Sequence, residues 1–308
     1  MSFPQNTKLS YRGADGRFCY YIFFILGGQL AVRSMAMNLP TAQELFDAGV
    51  HVGHQLRRWN PRSKPFVYAH RHGISIIDLA KTLEQLAKAC EFVEHLVAGG
   101  SEVWLVGTKP QAKDIVREAA EQNGLFYCTE RWLGGTLTNF ATIGRGLQKY
   151  RRLLQMQERG EIDRMFNKEA AALRRTMARM GRNFGGLLDI AGQPGALIVV
   201  DINRELIAVR EAKRTGTPVV AIADTNTDPF LVDYPIPGND DSGRSVRILL
   251  DAIVQAILRG REERELRREG KAIEMKKMVE LEPEVVLSDE VTELAKNLSD
   301  EALAAAER

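Results

Sequence analysis

Apolar residues recur at intervals of three and four between positions 79 and 98: Leu79, Leu83, Leu86, Ala87, Cys90, Val93, Leu96 and Val97. That spacing puts them on one face of a helix, which Gly99-Gly100 ends. The next apolar residues are contiguous, Val103-Trp104-Leu105-Val106, and stop at Gly107. A short run without polar alternation predicts a strand buried on both faces of a parallel sheet. The pattern repeats. A helix over about 111–122 ends at Asn123-Gly124 and leads into a strand at 125–128. A strand at 196–200 ends at Asp201, and a helix over about 204–214 ends at Gly216. A strand at 219–222 ends at Asp224, and a helix over about 242–259 follows Asn239-Asp240-Asp241-Ser242. Strands alternating with helices predict an α/β fold, a doubly wound parallel sheet with right-handed crossovers. Upstream, Thr41 followed three residues later by Glu44 reads as a capping box opening a short helix through Phe46.

Residues 143–188 break the alternation. Ile143, Leu147, Tyr150 and Leu154 form one heptad-like stripe, and Leu173, Met177, Met180, Phe184 and Leu187 another, with a polar stretch around Gly160 between them. The pattern predicts a protruding antiparallel helical coiled-coil hairpin inserted in the sheet domain. Each arm of about 15 residues would reach ~22 Å.

The 308 residues carry a formal net charge of only +2, but the charge is unevenly spread. From Arg145 to Arg182 there are eleven basic and four acidic residues, a net +7. From Ala48 to Ile77 there are Arg57, Arg58, Arg62, Lys64 and Arg71 and no acidic residue. From Arg261 onward the balance reverses, with nine basic and fourteen acidic residues. Such basic segments suit phosphates. The 44% hydrophobic composition is that of a globular chain. Cys19, Cys90 and Cys128 are widely separated, which disfavours a disulfide framework or thiolate zinc site and points to a reducing compartment. No apolar run reaches the ~18–20 residues of a membrane span.

Four of the five histidines, His51, His54, His70 and His72, lie in the basic segment among Trp59 and Tyr68. Imidazoles bind metals, but the surrounding arginines repel a cation, so structural or RNA contact is the preferred reading. Asp201, Asp224 and Asp228 fall at or beyond strand ends, the edge where open α/β sheets bind ligands. They are weak candidates for a divalent cation, with strand-end turns and N-caps the plainer reading. Gly107-Thr108-Lys109 and the turn Asn239-Asp240-Asp241-Ser242-Gly243 could together hold a phosphate at helix N-termini, although no complete phosphate-loop or dinucleotide fingerprint is present. There is no Gly-x-Ser-x-Gly elbow and no paired acid and base at a catalytic spacing.

Six stretches, in order, resemble the bacterial family of small-subunit ribosomal protein two. They are Ala48-Gly49-Val50-His51-Val52-Gly53-His54 with Trp59-Asn60-Pro61 and 73–79; Val106-Gly107-Thr108-Lys109 with Gln111-Ala112; Glu130-Arg131-Trp132-Leu133-Gly134-Gly135-Thr136-Leu137-Thr138-Asn139-Phe140; Asn183-Phe184-Gly185-Gly186-Leu187; Pro194 through Asp201 with Glu205, Ala208-Val209, Glu211-Ala212 and Pro218; and Asp224-Thr225-Asn226, Asp228-Pro229, Ile236-Pro237, Asn239-Asp240-Asp241 and Ser245. Together they cover roughly 37–262. Thr217 and Ser75 depart from the family pattern, which usually has an aliphatic residue and a histidine at those places.

The resemblance implies a flavodoxin-like sheet with the helical hairpin, seated on the small ribosomal subunit against ribosomal RNA. It further implies support for docking the large, messenger-RNA-capturing ribosomal protein one, and contact with neighbouring small-subunit proteins. No catalysis, cofactor, membrane contact or homo-oligomer is expected. The residues expected on RNA are Arg57, Arg58, Arg62, Lys64, Arg71, Arg131, Trp132, Arg145, Lys149, Arg151, Arg152, Arg174, Arg175, Arg179 and Arg182. The expected organisation is a non-native N-terminal extension, 1–36, from start-site choice (a secretory signal being the other reading of its apolar run); a sheet domain, 37–142 and 189–260; the hairpin, 143–188; and an acidic tail, 261–308. The alternative is a cytosolic sugar-phosphate or nucleotide-binding enzyme on the same fold.

Overall fold

The computed structural model describes residues 8–12, 18–26, 29–36, 39–190 and 192–281. At its centre is a five-stranded parallel sheet of β7 (Val103–Val106), β8 (Phe126–Cys128), β9 (Ala196–Val200), β10 (Val219–Ala223) and β11 (Tyr234–Pro237), in the order β11-β10-β9-β7-β8. Every pairing in it is parallel. Alternate strand residues face opposite layers, as the period of two demands. Val103, Leu105, Ile198, Val200, Val220 and Ile222 pack in one apolar cluster, whereas Trp104, Val106, Leu197, Val199, Val219 and Ala221 pack in another. The first is closed by α2 (Leu79–Ala98), α3 (Pro110–Asn123) and α7 (Gly243–Leu281), through residues such as Leu86, Val93, Val116, Val246 and Ile253. The second is closed by α6 (Leu206–Thr215) and by the roots of α4 (Phe140–Glu158) and α5 (Asn167–Phe184).

The predicted elements of the sheet domain are present to within a few residues, with three differences. The edge strand β11 contains Pro235 and Pro237, whose missing N–H groups hide a strand in sequence but are tolerated at an edge. The helix expected over 242–259 continues to Leu281. The basic segment 52–77 is a small antiparallel sheet of β4 (Val52–Gln55), β5 (Val67–Arg71) and β6 (Ile74–Ile77), in the order β4-β6-β5, interrupted by two 3-10 turns. Its short, bulged and mixed-polarity strands carry too little alternation to be read from sequence. The capping box at α1 (Ala42–Asp47) forms as expected: Thr41 Oγ1 accepts from Glu44 N, and the Glu44 carboxylate accepts from Thr41 N.

Upstream, β1 (Lys8–Arg12), β2 (Phe18–Leu26) and β3 (Gln29–Ala36) form a separate antiparallel sheet in that order, where the sequence predicted no fold element. The chain divides into two compact units after Arg264, and the second is helical to Leu281. The acidic tail beyond 281 lies outside the described residues.

The hairpin is longer than predicted, with arms of 19 and 18 residues, roughly 28 Å at 1.5 Å per residue. Ile143, Leu147, Tyr150, Ala170, Met177 and Phe184 are buried between the arms or at their root. On α4 Leu153 is buried and Leu154, expected on the stripe, is only partly buried. Glycines let the arms approach: the Tyr150 ring lies over Gly181 and the Phe184 ring over Gly146.

Candidate nucleic-acid interface

All eleven basic residues of the hairpin are exposed. At 100° per residue, Arg175, Arg179 and Arg182 project from α5 opposite Met177 and Phe184, and Arg145, Lys149 and Arg152 project from α4 opposite Leu147 and Tyr150. The apolar seam therefore fixes two outward cationic rows. Arg174 lies beside the seam and meets Asp163 at 2.5 Å, Arg159 lies near Glu161, and Arg151 donates to the Leu188 carbonyl.

The second basic area sits on the β4-β6-β5 sheet. Arg57 and Arg58 end one 3-10 turn, Arg62 and Lys64 lie on the next, and Arg71 ends β5; all five are exposed. Thr225, just past β10, anchors this sheet. Its carbonyl accepts from Asn60 N and Ser63 Oγ, and its hydroxyl accepts from His54 N, each at 2.9 Å. Gly53 is required where the chain passes, because a β-carbon there would stand 2.6 Å from the Thr225 methyl. Arg62 is partly committed, with its guanidinium 2.6 Å from Asp228.

One residue expected on RNA is buried. Trp132 is 5% exposed and sits in the core, with its indole N–H 3.4 Å from Glu211 Oε1. Its neighbour Arg131 is exposed. Glu211 shapes the whole 132–138 loop, because its carboxylate also accepts from the backbone N–H of Gly135 at 2.6 Å, Leu137 at 3.0 Å and Thr138 at 3.3 Å. Burial raises the Glu211 pKa, but these donors outweigh it and leave the group below the ordinary glutamate range. This role has no sequence signal beyond an acidic residue on an otherwise apolar helix face.

The four clustered histidines do not converge. His51 stacks on Phe46 with ring centroids 4.3 Å apart, His70 meets the edge of Trp59 and the Ser75 hydroxyl, and His72 holds a turn at φ +50°. Of the three aspartates, Asp201 and Asp224 belong to one cluster at the sheet edge, and Asp228 stands apart. Asp228 caps the 3-10 turn 229–231 and pairs with Arg62. Asp201 caps the turn after β9 through Asn203 N and Arg204 N.

At the carboxyl edge of the sheet a different group assembles. Lys109 Nζ lies 2.8 Å from Asp240, 2.6 Å from Asp241 and 3.5 Å from Asp201, while His54 lies 3.0 Å from Asp224 and 3.3 Å from Asp241. Burial disfavours the Lys109 ammonium, but the three carboxylates outweigh it and hold its pKa above the ordinary lysine value. Burial, together with the charges of Asp224 and Asp201, pushes the Asp240 carboxyl up to about 7 against the pull of Lys109. The hydrogen bond to Asp224 raises His54, against the opposing effect of burial. The loops 107–109 and 239–243 thus do meet, as a phosphate site would require, but their donors are taken. Glu205 binds Thr108 N at 3.0 Å as well as its hydroxyl, and Lys109 is surrounded by carboxylates. An anion is repelled there.

No helix among the described residues is long and apolar enough to cross a membrane. The family described as Ribosomal protein S2 matches residues 45–260. A protein of Opitutus terrae named small ribosomal subunit protein uS2 is 54% identical over 75% of this chain and 76% of its own length. Proteins of the same name from Coprothermobacter proteolyticus and Bdellovibrio bacteriovorus are 47% and 48% identical over 79% and 74% of this chain, covering 92% and 72% of their own lengths. A family match over most of the chain, coinciding with the sheet and hairpin just described, makes this chain a member of the ribosomal protein S2 family.

Proposed function

We propose that the hairpin and the β4-β6-β5 sheet form two cationic faces by which this protein is held on ribosomal RNA. As a member of its family the chain is a structural, ribosomal RNA-binding constituent of the bacterial small ribosomal subunit, working in the cytoplasm and without enzymatic activity. The observation that carries the proposed contact faces is the exposure of all eleven basic residues on the net +7 hairpin, arranged opposite an apolar seam. Lysine and arginine on phosphate release condensed counterions, and shape rather than base reading positions such a protein. The contact residues in this reading are Arg57, Arg58, Lys64, Arg71, Arg131, Arg145, Lys149, Arg152, Arg175, Arg179 and Arg182, with Arg62, Arg151 and Arg174 contributing from side chains already bonded within the fold.

The sheet supplies the rigid base. Its order, counted along the chain from β7, is 2-1-3-4-5, the order of a flavodoxin-like doubly wound sheet. The paired arms with their glycine contacts fit a protruding coiled hairpin. The family resemblance adds docking of the large ribosomal protein one as a further role.

Sedimentation of a cell lysate through sucrose gradients at low and high salt tests the reading. Co-migration with small subunits at low salt and release at high salt is the expected result. Migration at the top of the gradient under both conditions overturns it.

A further inference from the structure

We propose that the apex of the hairpin is a protein-docking tip, on which Phe166 is the anchor that enters an apolar pocket of a basic neighbouring small-subunit protein. The inference rests on the reading of this chain as a small-subunit constituent and names a partner class for one end of the hairpin.

The first observation is Phe166 itself. It is 83% exposed, more than any other large apolar residue among the described ones. It stands at the N-cap of α5, where serine, threonine, aspartate or asparagine would accept from the first-turn N–H groups, and its phenyl ring makes no such bond. The apex closes its own apolar contacts without it. Ile162, on the 3-10 turn Ile162–Arg164, is buried, and Met165 packs against the same cluster. A single exposed apolar residue is ordinary on a protein surface. An almost fully solvated aromatic ring in place of a cap, on the turn that joins the two arms, contributes nothing to the packing or capping of this chain.

The second observation is the distribution of charge along the hairpin. The shaft segments 145–157 and 170–182 carry four basic residues each and no acidic one. All four acidic residues of the hairpin, Glu158, Glu161, Asp163 and Glu169, fall in the apex, 158–169, against three basic ones. Asp163 is met by Arg174 at 2.5 Å and Glu161 by Arg159 at 3.8 Å, while Glu158 and Glu169 are exposed. The hairpin thus changes sign, from a strongly cationic shaft to an apex of net −1. Phosphates are drawn to the shaft and not to the apex. A stacked RNA base, the other occupant for an exposed ring, would bring its phosphates into the acidic turn. An apolar pocket rimmed by lysine and arginine complements a ring flanked by carboxylates. Interfaces between proteins are commonly held by such an aromatic anchor inside a polar rim.

The test uses the full chain in purified small subunits, with a photoreactive benzophenone amino acid at position 166 and, as a control on the shaft, at position 179. Irradiation should join position 166 to one small-subunit protein, through a peptide with lysine or arginine beside apolar residues, in a product that survives ribonuclease. Position 179 should give a ribonuclease-sensitive product. Rebinding to subunits depleted of this protein should be about tenfold weaker for Phe166→Ala and largely restored in Phe166→Leu. The salt slope of Phe166→Ala should match the wild type, since no phosphate contact is lost. A ribonuclease-sensitive product at position 166, or no product there, overturns the docking tip and leaves the RNA reading of the shaft standing. Rebinding of Phe166→Ala at the wild-type level overturns it too. Failure of the wild-type chain to enter small subunits would overturn both readings together.

Discussion

Gly186 presses its α-carbon against the backbone carbonyl of Tyr127, leaving no room for a β-carbon, which would overlap that oxygen and the nearest ring atoms. The contact seats the foot of the hairpin on β8. It also explains why glycine stands there although Gly186 has no left-handed backbone. Gly186→Ala must move backbone, which is harder than moving a side-chain tip, so a loss of about 1–3 kcal/mol is expected. Gly185→Ala is the control, because open space surrounds its β-position. Urea unfolding of the two variants measures the difference, and equal midpoints would remove Gly186 as a seat for the arm.

Glu211 gives a pH signature. Its folded-state pKa is lowered, in spite of burial, by the donors from Gly135, Leu137, Thr138 and Trp132. A depressed acid adds stability that is fully present above its ordinary value of 4.5 and is lost as pH falls through the folded value. Wild type should therefore exceed Glu211→Gln by about 2–3 kcal/mol at pH 7, and the gap should shrink below about pH 4.5. Denaturant titrations at pH 7, 5 and 4 check this. A gap that does not change with pH would mean that the carboxylate charge is not what holds the loop.

Trp132 separates packing from RNA binding. Trp132→Phe removes the indole donor to Glu211 and leaves a smaller ring in the core, so about 1–2 kcal/mol of stability should go. RNA affinity and its salt dependence should stay unchanged at temperatures where the variant is folded. Filter binding across a salt series, alongside thermal melts, measures both. Weakened RNA binding by a fully folded variant would return Trp132 to the interface.

Much of this was legible because period and punctuation agreed with the final packing. The contiguous apolar runs at 103–106, 196–200 and 219–222 became strands with both faces covered, and Gly124 and Gly216 end helices in left-handed conformations. The β4-β6-β5 sheet was not legible, because what orders it is long-range, namely the bonds of Thr225 to His54, Asn60 and Ser63. The same cause hid the strand-end cluster. Lys109 and Asp240 are 131 positions apart, and no local pattern announces that they will pair. Trp132 misled for the opposite reason: an aromatic beside an exposed arginine has the composition of an RNA-binding pair, and only its burial shows otherwise.

The hairpin offers the sharpest separation of charge from fold. Arg175, Arg179 and Arg182 point away from the seam, so reversing all three to Glu changes the charge by six units without entering the apolar packing between the arms. The melting temperature should move by only a few degrees, since exposed substitutions away from packing cost little. Binding to small-subunit ribosomal RNA should fall steeply. Each phosphate that is no longer neutralised flattens the slope of log affinity against log salt by ~0.9 for a duplex, so three should flatten it by nearly 3 units. The bland alternative, a solvated face, predicts an unchanged slope and normal incorporation into small subunits. Folded triple-Glu protein that enters small subunits at the wild-type level would show that these rows face solvent on the ribosome. A flattened slope with an intact fold would place phosphates along α5.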